Sequence, residues 1–323
     1  MTPTTPIVDD PTTAPQATEV VWTDVAPRDG LQNIGMTVPT DVKVHLIDSL
    51  LAAGAPRVEA TSFVAPTWVP QLADAAAVLA ALGSGMTRIR VLIPNRRGLE
   101  LALASGVRNV LVTIGVTDSF NRRNVNRSVR DSINELAGIC DVAATQNCAV
   151  DVALSVAFGC PFEGDVAPER VADLVHEIAQ LRVDEIGLAD TIGVADPAQV
   201  AALCRPLVRR AEGWRAHIGL HAHDTRGMAV ANVIAAYQAG VRHFDGSVGG
   251  IGGCPFAPRS TGNVASEDAV QALMGLGALC GVDLDAYCAV ATRLGEDLAM
   301  ALPGKLHRAG VWHGRPVAEA ESA

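Results

Sequence analysis

Short strand-like runs and amphipathic helical segments alternate eight times along this chain, and no break between them reads as a linker. Strands are expected over 20–26, 57–63, 87–93, 108–114, 148–157, 184–189, 216–223 and 241–247. Helices are expected over 40–53, 70–82, 96–105, 128–146, 168–181, 197–211 and 227–239, with a final pair at 265–278 and 284–300. The first helix shows the logic: Pro39 opens it, Val42, Leu46, Ile47 and Leu50 recur at helical spacing, and Gly54 closes it. Pro168 and Pro197 likewise sit near helix starts, where a missing N–H is harmless. Eight βα units in 323 residues favour an α/β fold of the closed (β/α)8 type, a TIM barrel with short extra C-terminal helices. The alternative is an open doubly wound sheet, which normally shows a glycine-rich turn after its first strand. Here that turn is Pro27-Arg28-Asp29-Gly30, which lacks GxGxxG and offers charged side chains instead. The expected organisation is a disordered tail over 1–18, the barrel with its C-terminal helices over 19–300, and a tail over 301–323.

Composition removes several function classes. A net charge of −10 argues against general nucleic-acid binding. The apolar runs are short of the roughly 20 residues needed to span a bilayer, so no membrane partner is expected. The first 18 residues are rich in Thr, Pro and Ala and lack the basic start and apolar centre of a signal peptide. Seven cysteines lie scattered without CxxC pairing, which favours reduced thiols and a cytoplasmic location. Of 25 basic residues only Lys43 and Lys305 are lysines, one in an early helix and one in the tail. A Schiff-base aldolase therefore has no obvious nucleophile.

In a parallel barrel the strand ends meet at one mouth, so each is a candidate site component. The seventh strand ends in His221-Ala222-His223, and alternation sends both imidazoles to one face with Ile218, Leu220 and Ala222 on the other. His217 shares the histidine face and is expected in the barrel interior. The pair is either two ordinary hydrogen-bonded histidines or half of a metal site. After the first strand, Asp29 is a hard oxygen donor and Arg28 a permanent cation suited to an oxyanion, unless the two merely form a salt-bridged turn. Glu59, inside the second strand, is costly to bury unless paired, for example with Arg28, or used. Asp190 ends the sixth strand as a catalytic carboxylate or as the cap of a turn. Four glycines around Cys254 suggest a mobile loop or a close backbone approach to ligand; Cys254 is an acid or base or an inert thiol, and Asn263 offers either a metal ligand or a cap for the next helix. Together, a carboxylate, two imidazoles and an amide form a hard N/O set suited to Mg2+ or Mn2+.

Several long motifs carry a resemblance: APRDGLQN, EATSFVAPTWVPQLAD, CPFEG, LADTIGVADP, HAHDTRGMAVAN and GSVGGIGGCPFAPRSTGN. From about residue 20 to 300 the chain resembles the 3-hydroxy-3-methylglutaryl-CoA lyase family of metal-dependent barrel lyases. The resemblance implies retro-Claisen cleavage of an acyl-CoA thioester, giving acetyl-CoA and, from the parent substrate, acetoacetate. It implies that Asp29, His221, His223 and Asn263 hold the divalent metal and that Arg28 stabilises the departing enolate. Asp190 and Cys254 would take part in proton transfer, Glu59 would order the site, and Gln32 would touch substrate. Asp29, Asp190 and the histidines, His221 included, stay open as the base that takes the first proton. Arg96, Arg97, Arg122 and Arg123 follow the third and fourth strands, where they either meet CoA phosphates or are solvated. A homodimer is expected from the resemblance alone.

Two departures bear on substrate. Ile34 stands where the family usually has an acid, and Arg259, near Asn263, stands where it has small or uncharged residues. Arg259 could meet an extra carboxylate, pointing to a relative such as citramalyl-CoA. A condensing acyltransferase of the same superfamily, and a non-catalytic barrel binding metal or acyl-CoA, are the competing readings.

Overall fold

Branched apolar residues on alternate strand positions pack outward against helices, and this closes the sheet on itself. The barrel strands are β1 (Val21–Asp24), β2 (Arg57–Ser62), β3 (Ile89–Leu92), β4 (Asn109–Gly115), β5 (Ala149–Ser155), β6 (Glu185–Asp190), β7 (His217–Ala222) and β8 (His243–Gly246). All eight are parallel in sequence order, and β8 pairs with β1 through Phe244 and Trp22 to complete the ring. The structure, a computed structural model, describes residues 18–82, 85–253 and 262–313.

The outer layer comprises α1 (Thr40–Ala52), α2 (Ala75–Ala81), α3 (Arg96–Ala104), α4 (Asp118–Val125), α5 (Val129–Thr145), α6 (Pro168–Ala179), α7 (Pro197–Ala211), α8 (Ala229–Gln238), α9 (Ser266–Gly275), α10 (Leu284–Asp297) and α11 (Leu306–Ala309). Pro39 is the N-cap of α1, and Pro168 and Pro197 open α6 and α7. Asp196 and Gln199 add a reciprocal capping box to α7. Lys43 is buried in α1 with its ammonium on Asp74 at 2.8 Å, so it holds helices together, away from any strand end.

Three differences from the sequence expectation have physical causes. Helix α4 buries only Phe120 and Asn121, so no apolar periodicity announces it. A two-residue hairpin pairs Gly159–Cys160 with Gly164–Asp165, too short to leave an alternation signal. The tail expected from residue 301 begins as packed chain: Leu302 and Leu306 are buried, and Gly304 N–H donates to Gly249 at 2.9 Å. At the other end, Thr18 pairs with Ala278, and residues 1–17 lie outside the described chain.

The barrel interior is ionic. Arg57, Glu59, Arg90, Asp151, Glu185 and Asp245 come from five strands and pair with one another, which only inward-facing side chains can do. Gly219 leaves room for this cluster, since a Cβ there would lie 3.1 Å from Glu185 Oε1. His217 is not interior. It begins β7, so it lies exposed at the rim opposite the mouth, stacked 4.6 Å from His243.

Candidate active site

At the mouth, β7 delivers His221 and His223 to one face, and their Nε2 atoms lie 3.0 Å apart. Residues Ala26–Gly30 leave β1 as one wide, π-helical turn, with Pro27 where no backbone donor is needed, and this swings Asp29 toward the histidines. Ligand atoms of Asp29, His221 and His223 all lie within 4.8 Å of one another. Asn263 pairs with His223 as an isolated bridge and donates from Nδ2 to Asp29 Oδ2 at 2.9 Å and to the Ile251 carbonyl at 3.1 Å. It does not cap α9, whose N-cap is Ala265.

The donor set fits a hard divalent cation. Asn263 Oδ1 is buried without a partner among the described residues, and two imidazole nitrogens face each other across a gap that one proton alone must bridge. The protonation states of His223 and Asp29 agree. Burial and the neighbouring His221 push the His223 imidazole down to about 3, keeping it a neutral ligand. Burial works against the Asp29 carboxylate, but Arg28 and the two histidines outweigh it and hold its pKa below the usual carboxylate value. Burial also opposes charge on His221, and the Asp245 hydrogen bond with the Asp29 charge reverses this, raising its pKa.

Arg28 stands beside this group with its side chain 10% exposed. Its Nε donates to Glu59 and its Nη1 to Asp29, so the guanidinium is oriented by two carboxylates. Desolvation disfavours the cation, and Glu59 and Asp29 more than restore it. Glu59 is fully buried and takes Arg90 on its other oxygen at 2.9 Å, which gives it the expected partner Arg28 and a second one.

Asp190 is 2% exposed and accepts backbone N–H bonds from Val194 at 2.8 Å and Ala195 at 3.1 Å. It thus caps the turn after β6, and burial raises its pKa despite those bonds. Gln32 is half-buried just past the Arg28 turn. Arg96, Arg97, Arg122 and Arg123 are all exposed. Arg97 is paired to Glu100 at 2.8 Å, and Arg123 lies over the Phe162 ring at 4.1 Å. Arg122 and Arg123 occupy the last turn of α4 rather than a helix start. Cys254 and Arg259 lie outside the described residues.

Sequence reasoning missed three contributors, Asp245, Arg90 and Asn33; Gly252 belongs to the glycine run already read as a mobile loop or a close backbone approach to ligand. Asp245 Oδ2 lies 3.4 Å from His221 Nδ1, and Arg90 holds that same oxygen at 3.0 Å. A carboxylate beside Phe244 inside the expected eighth strand could have been flagged on the same ground as Glu59. Asn33 Nδ2 donates to the Gly253 carbonyl at 2.8 Å, tying the Arg28 turn to the glycine segment. Gly252, with φ of 140°, sits so close to Asn263 that a Cβ would meet Nδ2 at 2.5 Å. The glycines thus allow backbone to approach a candidate metal ligand.

Comparison with known proteins supplies the family. The HMGL-like family model matches residues 19–293. The (R)-citramalyl-CoA lyase of Chloroflexus aurantiacus is 43% identical over 302 residues, covering 90% of this chain and 95% of the relative. The solved structure of the Bacillus subtilis HMG-CoA lyase superposes with a TM-score of 0.86 at 38% identity, covering 90% of this chain and 98% of that one. An HMG-CoA lyase from Acinetobacter baumannii, solved with coenzyme A and 3-methylmalate, superposes with a TM-score of 0.85 at 33% identity, covering 93% and 98%. A family match across the whole barrel, joined to lyase relatives of nearly equal length, places this chain in the HMGL-like family, among the CoA-ester lyases.

Proposed function

We propose that the protein cleaves 3-hydroxy-3-methylglutaryl-CoA, or a close 3-hydroxyacyl-CoA analogue, to acetyl-CoA and a ketoacid. The observation that carries this reading is the convergence of Asp29, His221 and His223 within 4.8 Å, with Arg28 bonded to Asp29. Asp29, His221, His223 and Asn263 would hold Mg2+ or Mn2+. Bound there, the ion supplies Lewis-acid polarisation of the tertiary hydroxyl and a neighbouring oxygen.

The chain's own groups serve the remaining steps. Loss of the hydroxyl proton lets its oxygen become the ketone as the adjacent C–C bond breaks, and the electron pair leaves on the acetyl thioester as an enolate. Arg28, fixed by Glu59 and Asp29 and always charged, stabilises that oxyanion without reorienting. Asp190, with a raised pKa, and Cys254 are the groups proposed to move protons to the enolate carbon and from the hydroxyl. Arg96, Arg97, Arg122 and Arg123 are proposed to meet the CoA phosphates, Gln32 the acyl portion, and Arg259 the distal carboxylate.

A second reading, cleavage of citramalyl-CoA to acetyl-CoA and pyruvate, is favoured by the 43% identity to an (R)-citramalyl-CoA lyase. A condensing acyltransferase is less well supported, because the lyase relatives span the same barrel length. The proposed location is the cytoplasm, in keeping with six free cysteines among the described residues. No helix among those residues is long and apolar enough to cross a membrane. Purified protein with Mg2+ or Mn2+, offered both thioesters, is read by mass spectrometry for acetyl-CoA with acetoacetate or pyruvate. Turnover of neither, in protein shown to bind metal, removes the lyase reading.

A further inference from the structure

Arg90 lies mid-barrel in β3, and its side chain is only 1% exposed. We infer that Arg90 is a positioning residue that sets two parts of the site at once, the ligand His221 and the cation Arg28. The inference rests on the metal-ligand reading above.

One branch runs from Arg90 Nη2 to Asp245 Oδ2 at 3.0 Å, and from that oxygen to His221 Nδ1 at 3.4 Å. With Nδ1 toward a carboxylate, the neutral imidazole keeps its proton there and leaves the Nε2 lone pair free. That Nε2 is the atom facing His223 at 3.0 Å. Asp245 depends on Arg90 for this, because its Oδ1 has no hydrogen-bond partner among the described residues. Without the guanidinium it is a buried carboxylate with one partner fewer, and a swing of the side chain would release His221.

The second branch starts at Arg90 Nε, which donates to Glu59 Oε2 at 2.9 Å. Glu59 Oε1 accepts from Arg28 Nε, and Arg28 Nη1 reaches Asp29. One planar guanidinium therefore spans two carboxylates that lead to opposite sides of the site. A lysine is a point charge and cannot hold both in fixed directions. From below, Arg90 Nη1 approaches two more carboxylates, Asp151 at 3.7 Å and Glu185 at 3.6 Å, which Arg57 shares at 3.0 and 2.6 Å. The hub is thus held from the side away from the mouth.

Those lower contacts supply a control. Asp151→Asn weakens the same buried cluster but contacts neither His221 nor Arg28. Metal-free full-length protein is titrated with Mn2+ and free ion is read from its electron paramagnetic resonance signal, alongside metal-free melting curves. Asp245→Asn and Arg90→Lys should weaken Mn2+ binding about 10–100-fold, the range for loss of a carboxylate behind a ligating histidine. Asp151→Asn should lower the melting temperature while leaving Mn2+ affinity within about twofold. At saturating Mn2+, Arg90→Lys should reduce kcat below that of Asp245→Asn, because it alone also frees Glu59 and Arg28. A parent protein that binds no Mn2+ defeats the ligand reading itself. Parent binding with both variants within twofold overturns the role of Arg90, as does an equal loss in Asp151→Asn. If Arg90→Lys does not fold, Asp245→Asn against Asp151→Asn still decides the first branch.

Discussion

Replacing Glu59 with Gln tests the ionic interior most directly. Glu59 is fully buried, and its two oxygens receive Arg28 Nε on one side and Arg90 Nε, at 2.9 Å, on the other. Glutamine keeps the volume and one acceptor, but its NH2 must face a guanidinium, donor against donor. Two charge-assisted bonds at about 1.5–3 kcal/mol each are weakened or lost, in line with the ~3–5 kcal/mol typical of breaking a buried pair. For a chain of 323 residues the unfolding entropy is about 0.7 kcal/mol per kelvin, so the melting temperature should fall by about 4–7 °C. Calorimetry of the metal-free protein measures this, with Glu59→Met as a companion that removes both acceptors, leaves Arg28 only Asp29 and Arg90 only its contacts to Asp245, Asp151 and Glu185, and should melt lower still. A fall of less than 1 °C in Gln, or a Met variant as stable as the parent, would refute the claim that Glu59 is needed to bury the two cations.

Three further outcomes are expected. Gly252→Ala should lower Mn2+ affinity by about tenfold, because a Cβ 2.5 Å from Asn263 Nδ2 displaces that side chain; unchanged binding by titration would contradict its placement. Leu302→Ala should cost about 2–4 kcal/mol in urea unfolding, since Leu302 is 4% exposed and packs on Gly249; a cost below 0.5 kcal/mol would mean the C-terminal segment does not brace the glycine loop. Asp24 is pushed up from 3.8 to about 7 by burial, against bonds from Ser266, Ala26 and Val248. A carboxyl whose folded pKa is raised favours the protonated fold, so its contribution is present at low pH and lost as pH rises through about 7. Asp24→Asn should therefore gain on the parent by on the order of 2–4 kcal/mol between pH 4 and 8, and parallel stability profiles would exclude this.

Local chemistry alone determined the fold class and nominated much of the candidate site. Proline starts and 3.6-residue periodicity marked α1, α6 and α7, and alternation in HIGLHAH placed His221 and His223 on one face. Strand-end position was enough to nominate Arg28, Asp29, Asp190 and Asn263, because a parallel barrel brings those ends to one mouth. The orientation of each group needed the tertiary structure. Whether Asn263 capped a helix or approached Asp29, and whether Asp190 held a turn, depended on backbone neighbours that no local pattern specifies. The same holds for Leu302 and Leu306, whose apolar character gave no sign of what they cover. Arg90 and Asp245 are 155 residues apart and meet only because strand register and closure bring β3 and β8 inward at one level. Periodicity encodes which face of an element is buried; the partner across a closed barrel is set by shear and stagger, which are properties of the whole ring.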